Sequence, residues 1–358
     1  MTTAQTTATT LNLRQSPGGI VTGYLSKGTE VSVLADSTAA WSHVTTAETP
    51  PRTGWVSTQY LTFPPAAPMV ETLPPADDAT HPVLLKGNQA FTPDGKPFAR
   101  QSGPGFYSPG VTTLDAWLAT HPVVDSVSAS SIRVIAAVSQ NEGRLEAVNS
   151  YDNAHLSFGL FQWTAGPDDE TGEIYGLLSL LKSTSPAAFD DGFGQFGLDI
   201  SGNHGYLALG GVSLETSAAK DVLRNKDWAY RFWRAGFSPD MRAAELQLAT
   251  QRIGQFTGAV VNGFPLSAWL SSEYGIALVL DEHVNRPGHV PGTLVNAVTT
   301  IGATSPAGWT ESDEHALIEA YLTCRAATTM TDSENRATAI GNCVAAGDLS
   351  SARGSFQA

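Results

Sequence analysis

A chain of 358 residues that is 42% hydrophobic and 15% charged, with 34 Gly and 21 Pro, has room for two or three globular domains and is too apolar to be disordered. Its 20 basic and 34 acidic side chains leave a net charge of −14. That balance disfavours nucleic acid as a partner, because phosphate binding relies on Lys and Arg to neutralise the backbone.

No apolar run approaches the roughly 20 residues needed to cross a bilayer, so no membrane span is expected. The opening MTTAQTTATTLNLR has neither a basic n-region nor an apolar h-region, and no signal peptide is visible. If the protein acts outside its cell, the delivery route is open: phage-like, by injection, or after loss of a leader.

Residues 9–62 read as short β-branched and aromatic runs separated by Ser-Pro-Gly-Gly, Lys-Gly and Thr-Gly turn signals, a pattern that predicts about five short strands in a small barrel. Residues 1–65 hold three basic and three acidic side chains, so the acidic excess sits in the rest of the chain. Leu11-Asn-Leu-Arg14, Pro17-Gly18, Lys27-Gly28-Thr29-Glu30-Val31, Trp41, Gly54-Trp55-Val56 and Tyr60-Leu61 together resemble a bacterial Src-homology-3-like domain. The resemblance implies a wall-targeting module over residues 1–63 that holds peptide segments of peptidoglycan in a groove. Trp41, Trp55 and Tyr60 are its groove candidates, with core packing the alternative for each.

Residues 64–82 contain six prolines. Proline fixes φ and removes a donor, so this stretch is expected to be a semi-rigid linker.

From residue 83 to 358 the texture changes. A Pro-Asp-Gly turn in FTPDGKPFA suggests a β-hairpin. Helical periodicity then dominates, over roughly 113–121, 128–142, 171–183, 215–234, 239–256, 266–284, 310–326 and 331–346. A Gly-rich stretch at 185–213 is long for a connector, and loops of that length are often functional. The two cysteines, Cys324 and Cys343, fit no zinc or redox spacing. They are either buried thiols or a disulfide clamping the tail.

The stretch VSQNEGRLEAVNSYDNAHLSFGLFQWT, residues 138–164, carries the chemistry. Ile132, Ile135 and Val138 define one face of a helix, and Glu142 falls on that face, in the expected last turn before Gly143, a natural helix terminator. An apolar surround and the negative end of a helix both disfavour a charged carboxylate. A carboxyl kept protonated near neutral pH is what a general acid for glycosidic cleavage needs. A solvated glutamate at a frayed helix end is the alternative.

Glu142-Gly143, then Asn149 and Asp152, then Ser157-Phe-Gly-Leu-Phe-Gln162, with Gln162 twenty residues after Glu142, resembles the active-site signature of the lysozyme-like superfamily, especially goose-type lysozymes and soluble lytic transglycosylases. The resemblance implies a Gly-Leu-Phe-Gln strand beside Glu142, with Phe161 in place of the usual Met. Gln162 would bond sugar hydroxyls or amides. Tyr151, Ser157, Phe158 and Trp163 complete the substrate-binding candidates, with core packing the competing role for Phe158 or Trp163. Two departures stand out. The nearest match to the transglycosylase Ala-Tyr-Asn-Ala-Gly motif is AVVNGF at 259–264, without the Tyr. An apolar helix ending in Asp281, His283 and Asn285 follows instead, and His283 reads as structural or substrate-facing because no partner stands at metal-ligand spacing.

Asp152 lies close to where goose-type lysozymes place a catalytic aspartate, and is the candidate second carboxylate. An Asx-type turn at Asp152-Asn153 is the alternative, with Asp168, Asp169 or Asp191 in the catalytic role. The expectation is therefore a multidomain protein, a small all-β barrel plus a mainly α lysozyme-like (α+β) domain. It would cleave the MurNAc-GlcNAc β-1,4 bond of peptidoglycan at the cell wall, with Glu142 as general acid and no metal or cofactor. The alternatives are a lytic transglycosylase forming 1,6-anhydro ends, a chitosanase-like hydrolase, and a non-catalytic wall-binding structural protein.

Overall fold

A computed structural model describes residues 2–34, 41–48, 50–62, 73–200 and 205–358. The chain divides into two compact units, Met1–Val70 and Glu71–Ala358, each with its own hydrophobic core.

The first unit is all-β. Strands β1 (Thr2–Thr6), β2 (Thr10–Arg14), β3 (Val21–Ser26), β4 (Glu30–Val33), β5 (Trp41–Thr46), β6 (Thr53–Ser57) and β7 (Leu61–Thr62) form an antiparallel sheet in the order β3-β2-β6-β5-β4-β1-β7. Period-two alternation drives it: Leu11, Leu13, Leu25, Val31, Val44 and Val56 point inward to a single core, while their strand neighbours face out. Two of these strands were not anticipated. β1 is a Thr-rich segment without apolar alternation, and it is ordered by pairing with both β4 and β7.

In the second unit the expected hairpin is present. Strands β8 (Leu84–Lys86), β9 (Gln89–Phe91), β10 (Pro97–Ser102), β11 (Gly105–Ser108), β12 (Val148–Asn149), β13 (Ser157–Phe158) and β14 (Trp163–Thr164) make an antiparallel sheet in sequence order. The Pro-Asp-Gly turn closes through Thr92 N–H to Lys96 O at 2.8 Å, with Gly95 at φ +83°. The expected linker is only partly described, and its described part is no free spacer. Pro74 O accepts from Arg234 Nε at 2.7 Å, Pro75 O accepts from the Tyr230 hydroxyl at 2.5 Å, and buried Asp77 pairs with Arg231 at 2.8 Å.

Helices α1 (Leu114–Leu118) and α2 (Ala129–Ser139) fall between β11 and β12. After β14 come α3 (Ile174–Thr184) and α4 (Pro186–Gly192), then a three-stranded sheet within the Gly-rich stretch, β15 (Leu198–Asp199), β16 (Ala208–Leu209) and β17 (Val212–Ser213), then α5 (Ser217–Lys220), α6 (Lys226–Ala235) and α7 (Pro239–Thr257). The last set is α8 (Leu266–Trp269), α9 (Glu273–Asn285), α10 (Val290–Thr300), α11 (Glu311–Ala326) and α12 (Ser333–Ala346). The centre of α9 is apolar all round and fully buried from Ile276 to Leu280, as a helix inside a core must be. It packs against α2, α7 and α12.

Several boundaries differ from expectation. α2 stops at Ser139, so Glu142 lies in the turn beyond it. The run at 215–234 breaks at Asn225, whose side chain caps α6. The run at 266–284 breaks at Ser272, whose hydroxyl caps α9 by accepting from Gly275 N–H at 3.0 Å. Cys324 and Cys343, on α11 and α12, are free thiols. Among the described residues no helix is long and apolar enough to cross a membrane.

Candidate functional site

Glu142 and the block at 157–163 do meet, although through turns and not through a helix end and a strand. Residues 159–162 form a tight turn between β13 and β14, with Gly159 at φ +76° and Gln162 at φ +50° and Gln162 N–H donating to Gly159 O at 3.1 Å. Gly143 N–H donates to Leu160 O at 3.1 Å, which clips the segment carrying Glu142 onto this turn. A Cβ on Gly143 would lie 2.8 Å from Gly159 O and 3.1 Å from Gln162 Nε2. The glycine after Glu142 is therefore required by close backbone approach and not as a helix terminator; its φ is not positive. Gly159 has a similar reason: a Cβ there would stand 2.2 Å from a carboxylate oxygen of Glu245. That fully buried side chain, on α7, accepts from Leu160 N–H at 2.5 Å. Burial pushes the Glu245 carboxyl well above its usual range, because a low-dielectric surround disfavours the charged form.

The Glu142 side chain is 14% exposed. Its Oε1 accepts from Asn285 Nδ2, at the end of α9, at 3.0 Å, and it pairs with Arg336 of α12. Arg336 is shared: it also reaches Asp281 at 2.6 Å, and Asp281 is held from its other side by Arg325 at 2.6 Å. Burial holds the Glu142 carboxyl above its ordinary range. Arg336 pulls the other way, and the nearby Asp281 adds to the rise.

A second cation stands on the other flank. Arg252 of α7 is buried, with its guanidinium 4.7 Å from the Trp163 ring centroid, and it pairs with Glu173, whose side chain is 46% exposed. Burial lowers the Arg252 pKa, opposed by Glu173 and at longer range by Glu142. His283, two residues after Asp281 on α9, packs on Phe256 at 5.4 Å between ring centroids. Burial and Arg252 bring its pKa down to about 4, so it is neutral at physiological pH, and its buried Nδ1 has no hydrogen-bond partner among the described residues. Among the described residues no cluster of His, Cys, Asp and Glu side chains has the makings of a metal site.

The other expected site residues are placed as follows. Phe158 and Trp163 are 0% and 1% exposed; they are core side chains and offer no face to a sugar ring. Ser157 is buried with them in β13. Gln162 is half-buried, and its side-chain Nε2 donates back to Gly159 O at 3.0 Å, leaving its amide oxygen outside that bond. Tyr151 is exposed and meets exposed Tyr107 edge-on at 6.3 Å. Asp152 serves its own turn: Oδ2 accepts from Asn149 Nδ2 at 2.6 Å and Oδ1 from Ala154 N–H at 3.0 Å, the Asx-type alternative. The turn is anchored beyond by His155, whose ring nitrogens lie 3.1 Å from Asp221 and 3.2 Å from Ser217. AVVNGF is no helix-borne motif. It is a hairpin of β18 (Val260–Val261) and β19 (Phe264–Pro265), with Asn262 at φ +47° and Gly263 at φ +84° in the turn.

Sequence reasoning missed Arg252, Arg336 and Glu173. Arg252 and Arg336 sit within ordinary helices and Glu173 immediately before α3, and only the fold brings Arg336 to Glu142 and Arg252 to Trp163 and Glu173. Charged side chains on otherwise apolar helix faces, as at Arg252, were the available signal.

On the first unit, Trp41 and Trp55 lie outside the hydrophobic core. They share an outward face with His43, stacked on Trp55 at 4.8 Å, and Arg14, 5.9 Å from the Trp41 ring centroid. Tyr60 is 42% exposed. A family model, bacterial SH3 domain, matches residues 9–62, in agreement with the all-β architecture of this unit. No curated protein and no solved structure matches the chain. The first unit is thus an SH3-like domain of the bacterial type, which suggests association with the cell wall.

Proposed function

We propose that the protein is a peptidoglycan-cleaving enzyme, with the second unit a lysozyme-like domain and Glu142 the general acid that protonates the glycosidic oxygen between MurNAc and GlcNAc. The first unit holds it on the wall. The observation that carries the reading is the state of Glu142: a carboxyl mostly removed from water, its proton affinity raised by burial, and joined through Gly143 to the turn that carries Gln162, whose amide stands beside Gly143. A general acid must keep its proton near neutral pH, and desolvation is the ordinary way to arrange that. Arg336 pairs with Glu142 in the free protein, yet its bond to Asp281 gives the cation a second carboxylate to rest on when Glu142 turns to a substrate. Neutral His283 and the amides of Asn285 and Gln162 supply uncharged polar groups suited to a neutral sugar.

The engagement of both Asp152 oxygens within its own turn favours a second reading, the lytic transglycosylase. There the muramyl 6-hydroxyl attacks its own anomeric carbon and no carboxylate is needed to activate water. Glu142→Gln tests the shared core of both readings. The variant should fold and lose wall-lytic activity by about two orders of magnitude or more; retention of more than about a tenth of the activity removes Glu142 as the acid.

A further inference from the structure

One face of the sheet of β8 to β14 carries an arrangement that the cleavage reading leaves unused. The register sets Lys86, Gln89, Arg100, Tyr107 and Asn149 side by side on consecutive strands from β8 to β12. Residues directly opposite one another in antiparallel strands point to the same side, with Cβ atoms about 4.5–5.5 Å apart. These five side chains therefore form one polar row across the sheet, while Ala90, Ala99, Phe106 and Val148, their neighbours along the strands, are buried. Gln89, Arg100 and Tyr107 of the row line one hollow of about 320 Å³, together with Pro97 and Pro109. Ligand clefts begin near that size, and one sugar ring with a substituent fills it.

Two features say what the hollow would hold. Exposed Tyr107 meets the ring of exposed Tyr151 edge-on at 6.3 Å. Two exposed phenols offer apolar surface to the less polar face of a pyranose ring and hydrogen bonds to its hydroxyls. The second feature is charge. Arg100 is exposed and has no hydrogen bond or ion pair among the described residues. Exposed Lys86 holds its ammonium over Phe91 at 5.2 Å, with no carboxylate partner among them. Asp152, beside Tyr151, spends both oxygens on its own turn. Two cations without acids, in a chain of 34 acidic and 20 basic side chains, make this row complementary to an anion, and the guanidinium fork of Arg100 fits a carboxylate.

We propose that this row is a binding site for a glycan that bears a carboxylate beside a sugar ring, with the ring on Tyr107 and Tyr151 and the carboxylate on Arg100. The occupant is the peptide-substituted GlcNAc-MurNAc unit of peptidoglycan, whose short peptide carries the carboxylate. The SH3-like first unit, which suggests the cell wall, favours that source over a polyuronic acid. The proposal uses neither Glu142 nor the breaking of any bond.

The test is hydroxyl-radical footprinting of the full-length protein, read at each tyrosine by mass spectrometry. The probe is GlcNAc-MurNAc carrying an L-alanyl-D-glutamate peptide. It lacks the MurNAc-GlcNAc bond assigned to Glu142, so its result and the fate of the cleavage reading are separable. Tyr107 and Tyr151 should become protected as the probe is titrated, whatever happens at Tyr60 on the first unit. In Arg100→Gln, half-protection should need about fivefold more probe, the upper range for a solvent-facing ion pair. N-acetylchitobiose, a sugar pair without a carboxylate, should show a similar loss on the wild type. Arg100 bonds to nothing among the described residues, so the variant should fold as the wild type does. Four results would each overturn the proposal: Tyr107 left unprotected at the highest soluble probe concentration, unchanged half-protection in Arg100→Gln, equal protection by the probe and N-acetylchitobiose, or tighter protection by a galacturonic acid oligomer than by the probe.

Discussion

Arg336 is the residue through which the protonation of Glu142 can be moved without touching Glu142 itself. Burial raises the pKa of that carboxyl, and the guanidinium opposes it more than the Asn285 hydrogen bond does, so removing the guanidinium takes away the main opposition to burial. In Arg336→Gln the acid should hold its proton to higher pH. The sign follows from the general acid being active when protonated: the alkaline limb of the kcat/KM profile should move upward, while the acid limb stays in place. Asp281 keeps Arg325, so the variant should remain folded. An unchanged or lowered alkaline limb would mean that the limb does not report Glu142.

Among elements, the segment from α2 to β12 is the one whose anchoring decides the site. Its deepest anchor is Glu146, four residues beyond Glu142 and 0% exposed. Glu146 accepts from Val111 N–H at 3.0 Å and Thr112 N–H at 2.9 Å, and it pairs with equally buried Arg242 of α7 at 2.7 Å. Removing one partner of a buried pair leaves an uncompensated charge, at about 3–5 kcal/mol. Glu146→Ala should therefore lower the urea-unfolding free energy of the second unit by about that much, whereas a loss below about 1 kcal/mol would mean that the other groups around Arg242, such as Gly236 O at 2.7 Å, suffice to hold its charge.

The same scale explains what the sequence revealed. The apolar period of α2 and the turn signals around Pro93-Asp94-Gly95 were legible because local pattern and tertiary packing agree there. The end of α2 was not, because Gly143 is pulled out of the helix by a bond to Leu160, a partner that only the fold supplies. α10 was missed behind Pro287, Gly288, Pro291 and Gly292. Its proline lies in the first turn, where a missing N–H costs nothing. Asp152 and Trp163 had the right residue types for a site, but short-range hydrogen bonds and burial claim them first.

At the scale of the whole molecule there are two units with separate cores, and the proposal that one holds the wall while the other cleaves it is testable. Removing residues 1–70 should leave cleavage of small soluble glycans nearly intact and weaken sedimentation with whole sacculi, because tethering acts by raising the local concentration of one partner near the other. Equal sedimentation of the two forms would take the wall-holding role from the SH3-like domain. The net charge of −14 lies outside residues 1–65, so that domain presents no net charge to a partner. Its outward Trp41, Trp55 and His43 offer aromatic surface instead.

The central claim, that Glu142 drives cleavage of the glycan strand, is tested most directly by mass spectrometry of the fragments released from purified peptidoglycan by the wild type and by Glu142→Gln. The account predicts new reducing-end muramic acid from the wild type and almost none from the variant. Glycan strands left intact by the folded wild-type protein, or equal release by both proteins, would contradict it.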